Sequence, residues 1–131
     1  MTRRSVVCIV AALILLAGLL PPAPAQSQGW EEKRVNHMKF PELVAAMKLQ
    51  EGHSVADLGA GQGAFTAALS KAVGPSGRVF AIDIDESAIK ALRAKVEKQS
   101  LKNVTVIHGD VDDPKLAPDS LDAVLLIDTY H

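Results

Sequence analysis

The chain has 131 residues, of which 48% are hydrophobic and 22% charged, and its formal net charge is −1. That balance excludes a disordered tail and a polycationic nucleic-acid binder, and the length bounds the chain to one domain. A single cysteine, Cys8, excludes a disulfide framework.

Arg3 and Arg4 precede an uncharged apolar run from Val6 to Leu20, and Pro21-Pro22-Ala23-Pro24-Ala25 then offers small residues in an A-x-A arrangement. This order predicts a secretory signal peptide over residues 1–25, cleaved after Ala25. The apolar run is shorter than the roughly 20 residues of a spanning helix, so no stable membrane anchor is expected after cleavage. Arg3-Arg4 also suits a twin-arginine leader. The expected address is therefore exported, periplasmic or secreted. Cleavage removes Cys8 and two basic residues but no acidic ones, leaving a net charge of −3. Such a surface has no electrostatic footprint for nucleic acid or anionic lipid.

Residues 26–39 are polar, with Trp30 and Arg34 as anchors, and read as a linker or lid. Pro41 suits the first turn of a helix and Glu42 its positive end, while Leu43, Ala46 and Met47 share a face before Gly52 stops it. This helix is expected to cover the mouth of the loop that follows. Val55 to Leu58 is a short apolar run, Gly59, Gly61 and Gly63 punctuate a tight turn, and Phe65, Ala68, Leu69 and Ala72 recur at helical spacing. Strand, glycine turn and helix start follow one another, which brings free backbone N–H groups to a place a ligand can approach. Val79 to Ile82 predicts a second strand. Asp85 can cap a helix whose buried stripe is Ile89, Leu92 and Val96, with Lys90, Arg93, Lys95, Glu97 and Lys98 facing water. Val104 to Ile107 and Ala123 to Ile127 give two more strands, joined by a proline-containing connection too short for a full helix. Strands that are apolar throughout are buried on both faces, so the fold class is α/β, a doubly wound parallel sheet.

Each strand carries an aspartate at or near its C-terminal end: Asp57, Asp83, Asp110 and Asp128. Ligands of open α/β sheets bind beyond those ends, so four carboxylates are expected around one crevice. Such a crevice suits a ligand with cationic groups and sugar hydroxyls better than one dominated by phosphate. His37, His53 and His108 have no metal-ligand spacing and read as ordinary loop or strand-end residues.

The stretches 55–66, 79–85, 106–110 and 121–128 resemble the successive motifs of Rossmann-like, class I S-adenosylmethionine-dependent methyltransferases, over about residues 40–131. The resemblance implies that Gly59, Ala60, Gly61 and Gly63 contact the methionine part of S-adenosylmethionine and that Asp57 helps hold its amino group. It implies that Asp83 accepts both ribose hydroxyls, that Ile84 lies beside it in the cofactor site, and that Asp110 contacts the adenine amino group. Residues after the fourth strand often face the substrate in this family, which makes Asp128 and His131 candidates for taking a proton from a small-molecule acceptor, with Tyr130 beside them.

Gly59 to Ala64 also fits the dinucleotide fingerprint G-x-G-x-x-G/A, with Asp83 where an NAD enzyme places its ribose acid. Asp57 argues against that reading, since a carboxylate at the foot of the loop sits badly beside a pyrophosphate. The chain departs from the family in ending at His131, after the fourth strand, which makes the fold look truncated within a domain spanning 40–131. It also carries an export leader although the cofactor is cytosolic. The cofactor is then loaded before export, translation starts later, for instance at Met38, or the exported protein is a non-catalytic binding module.

Overall fold

The computed structural model describes residues 26–127. The expected leader, residues 1–25, and the candidate residues Asp128, Tyr130 and His131 lie outside the described residues. The apolar run before the glycines forms β1 (Ser54–Leu58), followed by α3 (Ala64–Val73), β2 (Arg78–Asp83), α4 (Glu86–Lys98), β3 (Val104–His108) and β4 (Ala123–Leu126). Two helices precede β1, namely α1 (Gln26–His37) and α2 (Phe40–Ala46). All strand pairs are parallel and the order is β3-β2-β1-β4. The chain steps outward from β1 through β2 to β3, then returns to the far side of β1. That reversal between β1 and β4 is the switch point at which open α/β sheets form a crevice.

Strand register explains the core. Val55 lies opposite Val79 on one side and Ala123 on the other, and Val79 lies opposite Val104. This apolar row, with Leu125, packs against Phe65, Leu69 and Val73 of α3 and against Phe40 and Leu49. Burial of such side chains contributes roughly 1.5 to 3 kcal/mol each. The opposite face is less covered. By the two-residue period of a strand, Ala56, Phe80 and Val124 form one row on it and Leu58, Ile82 and Leu126 the next. Val124 and Leu126 are about half exposed. The expectation that every strand is buried on both faces therefore holds for the middle of β1 and for Ala81 and Ile82 of β2; among the described residues β3 and β4 flank the sheet and keep one side open.

Two local expectations are corrected. Residues 26–37, within the stretch read as a linker or lid, form a helix whose polar sequence is compensated by tertiary partners: the Glu31 carboxylate meets Lys95 Nζ of α4 at 2.5 Å, with both side chains largely buried, and Arg34 lies over the Phe65 ring. Lys95 consequently does not face water. The second helix has Pro41 in its first turn as expected but ends at Ala46, well short of Gly52, where the chain turns through Lys48 at φ 51°. The β3–β4 connection contains no helix, as its prolines predict.

Asp85 caps α4 by accepting from the Ala88 N–H at 2.8 Å. Asn103, just before β3, closes the other end of the α3 layer. Its amide donates to the carbonyls of Ser70 at 3.0 Å and Gly74 at 2.8 Å, which the end of α3 leaves without helical partners.

Candidate cofactor-binding site

A crevice of about 1150 Å³ opens at the C-terminal ends of the strands. One wall is the glycine loop. Gly59 and Ala60 donate their N–H groups to the Ile82 carbonyl of β2 at 2.9 and 3.0 Å, and Gly63 donates to Ala60 at 2.9 Å, which fixes the turn. The glycines differ in what they do. Gly63, at φ 80°, is the residue on which α3 starts, and a Cβ there would stand 2.5 Å from Leu92 Cδ1 of α4. Gly61, at φ 57°, borders the crevice, and a Cβ there would meet nothing within 4 Å. Gly63 is needed for packing, and Gly61 for an open approach to the backbone.

Asp57, at the end of β1, is 4% exposed and accepts from Thr66 Oγ1 at 2.7 Å. The bond ties the strand to the first turn of α3. Burial pushes the Asp57 carboxyl up to about 6, against the Thr66 hydrogen bond; Asp83 raises it further and Lys95 opposes. The group therefore titrates well above an ordinary aspartate, at about 6, while lining the crevice.

Asp83 ends β2 with both carboxylate oxygens occupied by backbone donors. One accepts from Gly61 N–H at 2.8 Å and the other from Asp85 N–H at 2.9 Å. The glycine loop and the turn into α4 are thus joined through one carboxylate, which keeps further lone pairs for a ligand. Ile84, 57% exposed, follows it on the crevice wall. His108 at the end of β3, with its proton on Nε2, donates to the Ile84 carbonyl at 2.9 Å, a strand-end role that matches its reading from sequence.

Asp110 lies on the same crevice in the loop after β3, exposed, with Lys115 Nζ 3.2 Å away. Val111 beside it is 91% exposed. The structure thus brings Asp57, Gly59, Ala60, Gly61, Asp83, Ile84 and Asp110 to one cavity and buries Gly63 just behind it. Asp85, Asp112 and Asp113 add three carboxylates that the one-per-strand pattern did not single out. The expected cover by the Pro41 helix is also corrected. Trp30 and Arg34 of α1 line the crevice instead, and no residue of α2 does. Their spacing, four residues apart, was the available signal, since it puts both on one face of a helix.

Comparison with known proteins adds a family. A family model described as a methyltransferase domain matches residues 55–131. Demethylmenaquinone methyltransferase of Geobacillus stearothermophilus is 33% identical over 91 residues, which cover 69% of this chain and 39% of that protein. The chain thus spans about two fifths of the length of the curated relatives it matches. A SAM-dependent methyltransferase from Aquifex aeolicus superposes with a TM-score of 0.62 at 34% identity, covering 64% of this chain and 45% of that one. A coclaurine N-methyltransferase bound to N-methylheliamine and SAH gives 0.54 at 28% identity, covering 61% and 23%. The parallel sheet is therefore that of class I enzymes that use S-adenosylmethionine, and this chain belongs to the methyltransferase-domain family.

Proposed function

We propose that residues 26–131 form the cofactor-binding portion of a methyltransferase that moves a methyl group from S-adenosylmethionine to a small-molecule acceptor. The observation that carries the reading is Asp83, a carboxylate held in place by the glycine loop itself and flanked by the exposed apolar side chain of Ile84. The hydroxyls of a diol donate to such a carboxylate, and an adenine face packs on such a side chain. The residues fit this cofactor: Asp83 would take the ribose hydroxyls, Ile84 and Val111 the purine, Asp110 its amino group, and Asp57 the ammonium. Gly61 leaves room for the methionine backbone. A pyrophosphate would enter a crevice lined by six aspartates and be repelled, which disfavours NAD.

When bound, S-adenosylmethionine supplies an electrophilic methyl group on a sulfonium. The protein's share is positioning and exclusion of water. Acids at the periphery bind the ligand without clamping the sulfonium, whose positive charge must disperse as the methyl group leaves. Trp30, Phe65, Leu126 and Ile127 give the crevice an apolar wall beside the glycine loop, suited to an apolar acceptor. The demethylmenaquinone methyltransferases among the relatives support a small-molecule acceptor of that kind. Proton removal by Asp128 or His131 belongs to the same proposal, as does export with a mature N-terminus at Gln26. Mass spectrometry of the native protein tests the latter; intact Met1, or a start at Met38, overturns it.

Calorimetric titration of the chain with S-adenosylhomocysteine and with NAD tests the central reading. S-adenosylhomocysteine is expected to bind and NAD to bind far more weakly. Tighter binding of NAD overturns the assignment.

A further inference from the structure

We infer that Arg34 of α1 receives the carboxylate of the amino-acid end of S-adenosylmethionine. The inference rests on the cofactor reading above and assigns a residue outside the glycine and aspartate motifs. Its starting point is charge. Six aspartates line the crevice, and among the described residues Arg34 is the only cationic side chain that does. The ligand's amino-acid end is a zwitterion. Its ammonium finds acids in abundance, while its carboxylate would be repelled by the same acids unless a cation met it. A guanidinium meets a carboxylate through two parallel N–H donors and keeps its charge at any pH of interest.

Position is the second support. Arg34 Cζ lies 5.9 Å from the centroid of Phe65, the second residue of α3, which starts directly after the glycine loop. The guanidinium therefore stands at the β1 end of the crevice. Asp83 and Ile84 follow β2, and Asp110 and Val111 follow β3, in sheet order away from that end. A ligand with its ribose at Asp83 and its purine beyond runs its amino-acid end back toward β1 and α3, where Arg34 is. The third support is rigidity. The Glu31–Lys95 ion pair, one helical turn before Arg34, fastens α1 to α4 and fixes the height from which the side chain reaches.

The test compares two ligands on the full chain. S-adenosylhomocysteine carries the carboxylate; S-adenosyl-3-thiopropylamine is the same molecule without it and keeps the ammonium. Arg34→Met is expected to weaken S-adenosylhomocysteine by about 10-fold or more, the loss of one charge-assisted contact, and to leave the amine within about twofold. Arg34→Lys should recover part of the lost affinity. Equal weakening of both ligands would mean that Arg34 only supports the fold, and unchanged binding of S-adenosylhomocysteine would mean that the carboxylate lies elsewhere; either result overturns the inference while the cofactor reading stands. Failure of the unsubstituted chain to bind either ligand overturns both.

Discussion

The two rims of the crevice are built on opposite principles. The rim after β1 is locked: Asp57 is buried and bonded to Thr66, Gly63 is wedged against Leu92, and Asp83 grips the glycine loop. The rim after β3 is open: Asp110, Val111, Asp112 and Asp113 are exposed, and the Asp110–Lys115 pair is 66% and 48% exposed. Exposed pairs of that kind contribute roughly 0 to 1 kcal/mol. The difference teaches where this fold invests its order. On the cofactor reading proposed above, the rim that would meet the reacting end of the ligand is held by buried contacts, and the rim that would meet the purine is solvent-exposed.

Breaking the locked rim should give the largest effect. Gly63→Ala combines a left-handed backbone with a Cβ in contact with Leu92, and should destabilise by about 2 to 5 kcal/mol. Chemical denaturation measures it, and a loss below about 1 kcal/mol would show that α4 yields easily.

Asp57 offers the next effect, through pH. Its carboxyl is raised from 3.8 to about 6, so the folded state holds a proton that the unfolded state releases between those values. Stability therefore falls as pH rises through that window and stays lower above it, by at most about 3 kcal/mol. Asp57→Asn, which can still accept from Thr66, should raise the melting temperature at pH 8 and match the parent chain near pH 4. Affinity for an ammonium-bearing ligand should run the opposite way, weakening below about pH 6 in the parent and not in the variant. Identical melting profiles would mean that the charge of Asp57 is accommodated without cost.

A smaller effect falls on recognition. Asp83→Ala should weaken S-adenosylhomocysteine by about 10-fold or more, from the loss of hydrogen bonds to a charged partner. On the open rim, Asp110→Asn should change stability by less than about 0.5 kcal/mol and affinity by only a few-fold. If Asp110 mattered to stability as much as Asp57, the contrast between the rims would collapse.

The backbone of the locked rim was legible in the sequence because its parts are near neighbours, whereas the Asp83–Gly61 bond, 22 residues apart, and the Gly63–Leu92 contact were not. The strand, the glycines and the start of α3 are consecutive, and Asp85 caps α4 three residues away. What was illegible depends on distant partners. Helix α1 has a polar sequence that alone reads as a linker or lid, and its support comes from Lys95, 64 residues on, and from Phe65. Lys95 lies one turn after Ala91 and Leu92, at the margin of the apolar stripe, where a lysine ordinarily extends its charged end to water, so its burial is not marked locally. Likewise, strands β3 and β4 are as apolar as β1, and only their places at the two edges of the sheet leave Val124 and Leu126 half exposed.

The double engagement of Asp83 has a kinetic consequence. Because Gly61 and Asp85 already hold its two oxygens, the side chain would have no rotamer to search on meeting the diol proposed above. Encounter and capture then merge into one step, and the arrival rate is set by diffusion into the crevice. Differences in affinity among nucleoside ligands should accordingly show up in how long each stays, not in how fast each enters.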